Sequence, residues 1–560
     1  MITFVSAYLF PEKHVHICEE FSIKNLIALC KENLRLVLFV YHEDEKWITR
    51  KLEDTEGVEM PLIYTLQKTD LKIWNLIHED LNYELPGNRN TLKDTREYLW
   101  KTHISFELLK KTIEKNPFQT SHFSWISYST RFLMKNQSTF TYLRDLTNFK
   151  KGLLLPGCMT NNVNDVSELL DDICWRFSGG FFIGDAESIS SMYEVYVLEL
   201  QEFLKIHRKI IWEVNFYAYL ERYCKEWKAS WYYGNHDDSM ITNISAFYFS
   251  NCLAEKKSYR CVDYNNVFQI EGFYPTSACY LQYYDVNKMK NIKYLNIRYV
   301  NYWLYPNGYY RYPSSKHLID NKNVVCELDE YFYPIPSTCG VMQESLDLTD
   351  FSNSYSHGLE DVRIYEIDGK IKCSATNLNY VDSGSGRSRI IVSDYSVDRH
   401  AIENGVIINP PTNTWSEKNW IPIVRDGKEC FIYKWCPFQI GELQNNDLKI
   451  IYEYPIECPL FRNVRGSSLF VDIHGEYSIG VVHFSEEGSP RKYCHMLVEM
   501  KDNVPIHYSQ PFCFREFSVE FCIGFTIDKD NYIFWISQMD RDPLMIMVNK
   551  EEILCNNNIY

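Results

Sequence analysis

The spacing of apolar and polar positions changes character once along this chain, near residue 260. Upstream, apolar runs such as "ITFVSAYLF" and "LRLVLFVYHED" have strand character. They alternate with segments of helical period, "DTREYLWKTHISFELLKKTIEKN" and "AESISSMYEVYVLELQEFLKIHRKIIWEVNFYAYLERY". Such alternation predicts an α/β layer fold, in which ligands sit beyond the carboxyl ends of the strands. Downstream, short β-type runs follow one another, among them "KYLNIRYVNYWL", "VRIYEIDGKIKCSATN", "SLFVDIHGEYSIGVVHF" and "NYIFWISQM", divided by Gly, Asn, Asp and Pro turns. Long helical patterns end there. Strands at this spacing over residues 265–560 suit a pair of sandwiches or a propeller of four-stranded blades. The pattern therefore predicts two domains, 1–260 and 265–560, with the boundary inside 250–275.

Composition narrows the ligand class. The chain has 560 residues, beyond one ordinary core, and 16% of them are aromatic, 42 being Tyr. Flat ring faces on that scale serve sugar stacking or a β-rich core equally. The net charge of -16 argues against a polynucleotide partner, whose phosphates require clustered Lys and Arg. The 18 cysteines show no CxxC pair or zinc-type spacing, so free thiols in a reducing compartment are the simplest reading. "MITFVSAYLF" lacks a basic leader and a small-residue cleavage site, and no apolar run approaches about 18 residues. A cytoplasmic protein without a membrane span is expected; the oligomeric state is not encoded.

Three segments of the first half join apolar strands to polar or glycine-rich turns. "NPFQTSHFSWISYSTRF" puts Ser127 near a strand end, "SGGFFIGD" carries Gly179 and Gly180 before a helix, and "WYYGNHDDSMI" sets His236, Asp237 and Asp238 side by side. Paired glycines mark a tight turn or a close approach to the main chain. Asp185 and Glu187 at the helix start either cap it or accept a proton from a sugar hydroxyl. Glu213 is either a surface charge or an inward carboxylate with a raised pKa. His236, Asp237 and Asp238 form a cap or Asx turn, or on a loop they hold a divalent ion.

The order of these segments resembles the HtrL/YibB-type glycosyltransferases over most of residues 1–245. The resemblance implies a GT-A-like fold that binds a nucleotide-sugar donor, with Mn²⁺ or Mg²⁺ at the diphosphate. In that family an acidic residue generally follows the Trp-Ile pair; here the position is Ser127, which cannot supply the negative charge a diphosphate-bound ion needs.

In the second half, "YLNIRYVNYWLYPNGYYRYP" carries Arg298 within an apolar run. Such an arginine needs an acidic or sugar-hydroxyl partner, or else faces outward. "GLEDVRIYEIDGKI" adds Glu360, Asp361 and Arg363, and on a regular strand Asp361 and Arg363 share a face and can pair. "WSEKNW", "RNVRGSS" and "GVVHF" put Lys418, Asn419, Arg465 and His483 beside strands. Polar groups recurring at one end of successive β units are what a propeller axis collects. "EDVR" resembles the EDPR-type motif of five-bladed propeller glycosidases and mannoside phosphorylases, over about 270–545, without the usual proline. The resemblance implies that Arg298, Lys418, Arg465 and His483 contact phosphate or sugar, with Asp361 as acid or orienter. Asp540 in "SQMDRDP" is either ordinary turn chemistry or the second carboxylate of an inverting hydrolase.

The expectation is therefore a GT-A-like α/β domain followed by a five-bladed β-propeller. The function expected is a two-domain glycosyltransferase passing sugar from a nucleotide-sugar to a glycan acceptor. The alternative is a glycan-binding protein, or a propeller phosphorylase or hydrolase with a degenerate transferase domain. The Asn-, Ile-, Lys- and Tyr-rich style also resembles reading frames of large DNA viruses.

Overall fold

The computed structural model describes residues 1–9, 16–88, 90, 94–146, 149–286, 288–312, 319–351, 356–381 and 387–559. The chain divides into two compact units, Met1–Phe249 and Ser250–Tyr560. Residues 251–252, inside the first domain as read from the sequence, and 260–263, at its end, pair with strands of the second unit.

The first unit is built on one seven-stranded sheet: β1 (Ile2–Tyr8), β2 (Leu36–Tyr41), β3 (Leu62–Leu66), β4 (His122–Ile126), β5 (Leu153–Gly157), β6 (Phe181–Asp185) and β7 (Ser230–Tyr233). The strand order is β3-β2-β1-β4-β6-β5-β7. All strands run parallel except β6, which is antiparallel to β4 and β5. β2 and β4 are buried along their whole length, as continuous apolar strands covered on both faces must be. The order reverses between β1 and β4, so a crevice is expected beyond their carboxyl ends.

Two segments with unbroken helical period are each split. "DTREYLWKTHISFELLKKTIEKN" forms helices Arg96–His103 and Ser105–Lys115. The longer segment forms Ala186–His207 and Glu213–Tyr223, parted where Arg208 turns left-handed at φ 54° and Lys209 bridges to Glu84. Apolar period alone does not register such a break, because Ile210, Ile211 and Trp212 are buried in the same core as the helices they separate.

The second unit contains no α-helix among its described residues and holds five sheets of four or more strands. Sheet I is led by strands Tyr274–Asp285, Lys290–Val300 and Ile319–Glu327; sheet II by Glu360–Ile367, Lys370–Asn377, Arg389–Ser396 and Ala401–Ile407. Sheet III comprises Ile421–Arg425, Lys428–Trp435, Phe438–Gln444 and Asp447–Tyr454. Sheet IV includes Arg465–Gly466, Tyr477–Glu486, Lys492–Lys501 and Val504–Ser509; sheet V has Glu520–Asp528, Asn531–Gln538 and Asp542–Asn549.

Each sheet packs on the next, and strand Tyr274–Asp285 of sheet I packs on sheet V. Tyr280 and Trp535 stack across that last junction with centroids 4.9 Å apart. Segments from far along the chain complete two sheets: Arg260–Asp263 pairs with Asp542–Asn549, and Cys555–Asn558 pairs with Val504–Ser509. The cores lie between sheets, where alternating apolar residues such as Leu295, Ile297, Val324 and Cys326 meet Ile533 and Met545.

Candidate functional site

In the second unit, sheets I and II, the segment leading into sheet III and one interstrand turn of sheet V send polar groups to one place. Arg298, near the end of strand Lys290–Val300, donates through Nε to Asn321 Oδ1 at 2.9 Å and through Nη1 to Asp361 Oδ1 at 2.9 Å. Its Nη2 lies 3.8 Å from Glu360 Oε2. Glu360 also accepts from Ser356 Oγ at 2.7 Å and from Lys418 Nζ at 3.3 Å. Asp540 follows strand Asn531–Gln538 and accepts from the Tyr302 hydroxyl at 3.4 Å. Three carboxylates thus surround one guanidinium.

Their environments push two of these carboxyls in opposite directions. Burial alone would raise Glu360, but Lys418 and Arg298 beside it hold it down at about 2. Burial raises Asp540, with Arg298 opposing and the Asp361 carboxylate adding to the rise. Neighbouring acids displaced apart in this way suit the anion and the proton donor of acid–base chemistry. Asp361, Asn419 and Asp540 all hold left-handed backbones, at φ 53°, 64° and 49°. Non-glycine residues cluster in that region where surrounding structure over-determines them, commonly at functional sites.

The pairing expected between the Asp361 and Arg363 side chains is not made. A bulge between Glu360 and Arg363 breaks the strand alternation that would put them on one face. The Asp361 carboxylate goes to Arg298 instead. Arg363 is buried and donates to Ser467 O at 2.9 Å, Asp361 O at 3.2 Å and Asn419 Oδ1 at 3.2 Å, so it ties sheets II, III and IV together.

His483 is buried, with Nδ1 2.8 Å from Ser467 Oγ, and burial, His495 and Arg465 push its pKa well down. A neutral, enclosed imidazole is no cationic phosphate contact. Lys418 and Arg465 are exposed, and Arg465 makes no ion pair among the described residues. Tyr302, Asn321 and Tyr493 join the cluster without having been singled out in the sequence; Tyr493 stands near His483 at 5.7 Å between ring centroids. The only signal for them is the local density of tyrosine and asparagine.

In the first unit, Ser127, Gly179, Gly180 and Glu213 come to the carboxyl edge of the sheet. Ser127 follows β4, and its N–H donates to Gly180 O at 2.9 Å. A methyl group at Gly179 would run into the Glu213 carboxylate and lie 3.3 Å from Val214; one at Gly180 would lie 2.8 Å from Thr130 Oγ1. The close approach these glycines permit is made by the protein's own side chains. Tyr8 and Tyr128 rings, 5.2 Å apart, stand at the ends of β1 and β4 where strand order reverses.

Asp185 is elsewhere. It ends β6, roughly 16 Å along an extended chain from Gly180, and caps the helix Ala186–His207 through Glu187 N and Ser188 N at 3.0 and 3.1 Å. Gly152 N and Ser188 Oγ also donate to it, and together these bonds outweigh burial and lower its pKa. Glu187, beyond it, is exposed.

His236, Asp237 and Asp238 turn to separate partners. Asp238 accepts from Lys135 N, Asn136 N, Asn136 Nδ2 and Thr139 Oγ1. Asp237 accepts from Ser239 N and Oγ. His236 packs edge-on to Trp175 at 4.7 Å and lies 3.7 Å from Cys158 Sγ. Among the described residues these three do not form a group that could hold one ion, and Ser127 offers no charge. The residues present do not fit a divalent cation at a diphosphate.

No protein-family model matches the chain, and neither does any curated protein. Among solved structures it is similar to β-1,2-mannobiose phosphorylase from Listeria innocua in complex with β-1,2-mannobiose, at 10% identity and a TM-score of 0.33, over 52% of this chain and 98% of that one. It is similar to a GDP-Man-dependent mannosyltransferase from Leishmania mexicana at 12% identity and a TM-score of 0.35, over 55% and 96% of the two chains. A mannose phosphorylase from Leishmania mexicana, in complex with phosphate ion, gives 12% identity and a TM-score of 0.35 over 55% and 95%.

Proposed function

We propose that this chain is a carbohydrate-active enzyme whose chemistry sits in the second unit, where a glycosidic bond is broken or made with inorganic phosphate as the other partner. The observation that carries the reading is the carboxylate cluster around Arg298, in which Asp540 is inclined to keep a proton and Glu360 to remain an anion. Five sheets in succession, with the fifth packed on the first, support a five-bladed propeller, and the cluster then lies toward its axis.

In this reaction Asp540 gives its proton to the glycosidic oxygen as the bond from that oxygen to the anomeric carbon breaks. A phosphate oxygen held by Lys418 and Arg465 forms the new bond to that carbon. Arg298 and Asp361 position the acid and the sugar hydroxyls. General acid catalysis of this kind contributes about 10²–10⁴-fold.

The test uses the full chain with a panel of neutral manno- and gluco-oligosaccharides, with and without inorganic phosphate, read by ³¹P NMR. Phosphate-dependent appearance of a sugar 1-phosphate, lost in Asp540→Asn, is expected. Absence of both phosphorolysis and hydrolysis across the panel would overturn the reading.

A second reading gives the first unit a nucleotide-sugar site and makes the chain a glycosyltransferase. It is favoured by the meeting of Ser127, Gly180 and the tyrosine pair at the strand-order reversal, the usual place for a nucleotide in such sheets. Its donor site then works without a resident metal. Protection against thermal melting by UDP or GDP, unchanged by EDTA, supports it; no protection by either nucleotide removes it.

A further inference from the structure

Beside the acid candidate Asp540 rises a small aromatic hairpin that the proposed reaction does not use. Strands Trp303–Leu304 and Tyr310–Arg311 pair across a turn in which Gly308, at φ 83°, and Asn307 form the tip. The tip is tied to a neighbouring loop by Ser489 Oγ, which donates to Asn307 O at 3.3 Å. Arg311 Nη1 donates to the Tyr305 hydroxyl at 3.4 Å, bracing one ring against the opposite strand.

Three rings gather beside the acid. The Tyr302 hydroxyl reaches Asp540; the Tyr302 ring meets Tyr310 edge-on at 5.2 Å; Tyr310 stacks near Tyr312 at 6.2 Å. Tyr302 at the base is buried, whereas Tyr310, Tyr305 and Tyr309 beyond it are exposed at 46%, 40% and 72%. Three large exposed rings on a nine-residue hairpin are costly to leave in water and mark a binding surface. No excess of charge accompanies them, which suits a neutral ligand with flat apolar faces.

We infer that this hairpin is an extended subsite that binds successive pyranose rings of an oligosaccharide beyond the bond being cleaved. The inference rests on the reaction proposed above for its direction, since Asp540 is the point from which the rings lead away. Tyr310 and Tyr305 then take the units nearest that bond and Tyr309 the more distant one, each offering a ring face to the C–H side of a sugar. The substrate class is accordingly a glycan of three or more units rather than a disaccharide.

The experiment measures kcat/KM and binding for neutral oligosaccharides of two to six units, using the full chain, Tyr309→Ala and Tyr305→Ala. Binding is read by saturation-transfer NMR on the sugar protons, independently of turnover. Each stacked aromatic contact is worth about tenfold at the upper end of measured aromatic pairs. A rise of about tenfold in kcat/KM from two to four units, flattened to within about twofold in Tyr309→Ala, is the expected result.

Turnover that is indifferent to length and to both substitutions would overturn the subsite while leaving the proposed reaction standing. Length-dependent binding lost in Tyr309→Ala, without turnover of any oligosaccharide, would support the subsite and defeat the reaction. Neither binding nor turnover would defeat both. Self-association of the full chain in sedimentation, abolished by Tyr309→Ala with glycan binding unaffected, would make the hairpin a protein interface and overturn the inference.

Discussion

Arg298 and Asp361 join two sheets of the second unit through a hydrogen bond of 2.9 Å, and Asp361 makes it from a left-handed backbone at φ 53°. The bulge that gives Asp361 this conformation also turns its carboxylate away from Arg363 and toward the carboxylate cluster. A strained residue and a buried charge are therefore held in place by the same contact. The predictions below follow from it and from its neighbours.

Asp540 holds its proton above the ordinary carboxylate range because burial disfavours the anion. If it is the acid, turnover by the full chain falls as pH rises through its raised pKa, and Asp540→Asn lowers kcat by about 10²–10⁴-fold. A pH profile of kcat checks this. An unchanged basic limb in the residual activity of Asp540→Asn would remove Asp540 from the role.

Glu360 has the opposite displacement, and the sign of its effect follows. Its folded pKa of about 2 lies below the ordinary value of 4.5, so its contribution is present above about pH 4.5 and is lost as pH falls toward 2. Glu360→Gln removes one anion from beside Arg298, which keeps Asp361, and from exposed Lys418, and is expected to cost about 1.5–3 kcal/mol. Urea unfolding at pH 7 and pH 3 measures it, and the gap between the variant and the parent should narrow at the lower pH.

His495 is fully buried among Phe512 and Phe514, and neither ring nitrogen has a hydrogen-bond partner among the described residues. Burial holds its pKa down to about 3, so between pH 6.5 and 3 the unfolded chain binds the extra proton and stability falls as the solution is acidified. His495→Phe removes both the unpaired polar atoms and this proton linkage. A stabilisation of about 1–3 kcal/mol at pH 7, with a shallower loss of Tm on acidification, is expected by calorimetry.

Gly179 and Glu213 test whether the glycine pair serves packing or a ligand. A methyl group at Gly179 meets the Glu213 carboxylate, so Gly179→Ala is expected to destabilise by about 1–3 kcal/mol. Gly179→Ala combined with Glu213→Ala should recover much of that loss, giving a coupling energy of about 0.5–3 kcal/mol in a double-mutant cycle. Additive effects would mean that the two do not meet.

Much of the layered architecture was legible because apolar period is a local property. The runs at 2–8 and 36–41 become buried parallel strands, and the spaced runs after 265 become hairpins of successive sheets. The helix breaks at Ile104 and Arg208 were not legible, since the residues between the helices are as apolar as the helices themselves. The relation of Asp185 to Gly180 was obscured for a different reason: four residues separate them, and only the extended strand places them at opposite ends of β6. Asp540 reads first as a turn residue and only otherwise as a second carboxylate, because a left-handed aspartate after a strand is ordinary turn chemistry until its neighbours are known.

By itself the sequence determined the two textures of this chain, its acidic balance of charge, and the residue types at the strand ends where chemistry gathers. Only the tertiary structure decided which of those residues meet. Arg298, Glu360, Asp361, Lys418 and Asp540 span more than two hundred positions, and what brings them within hydrogen-bonding and Coulombic reach is the packing of sheet on sheet. Local period cannot encode that packing, because each strand carries only its own half of every contact.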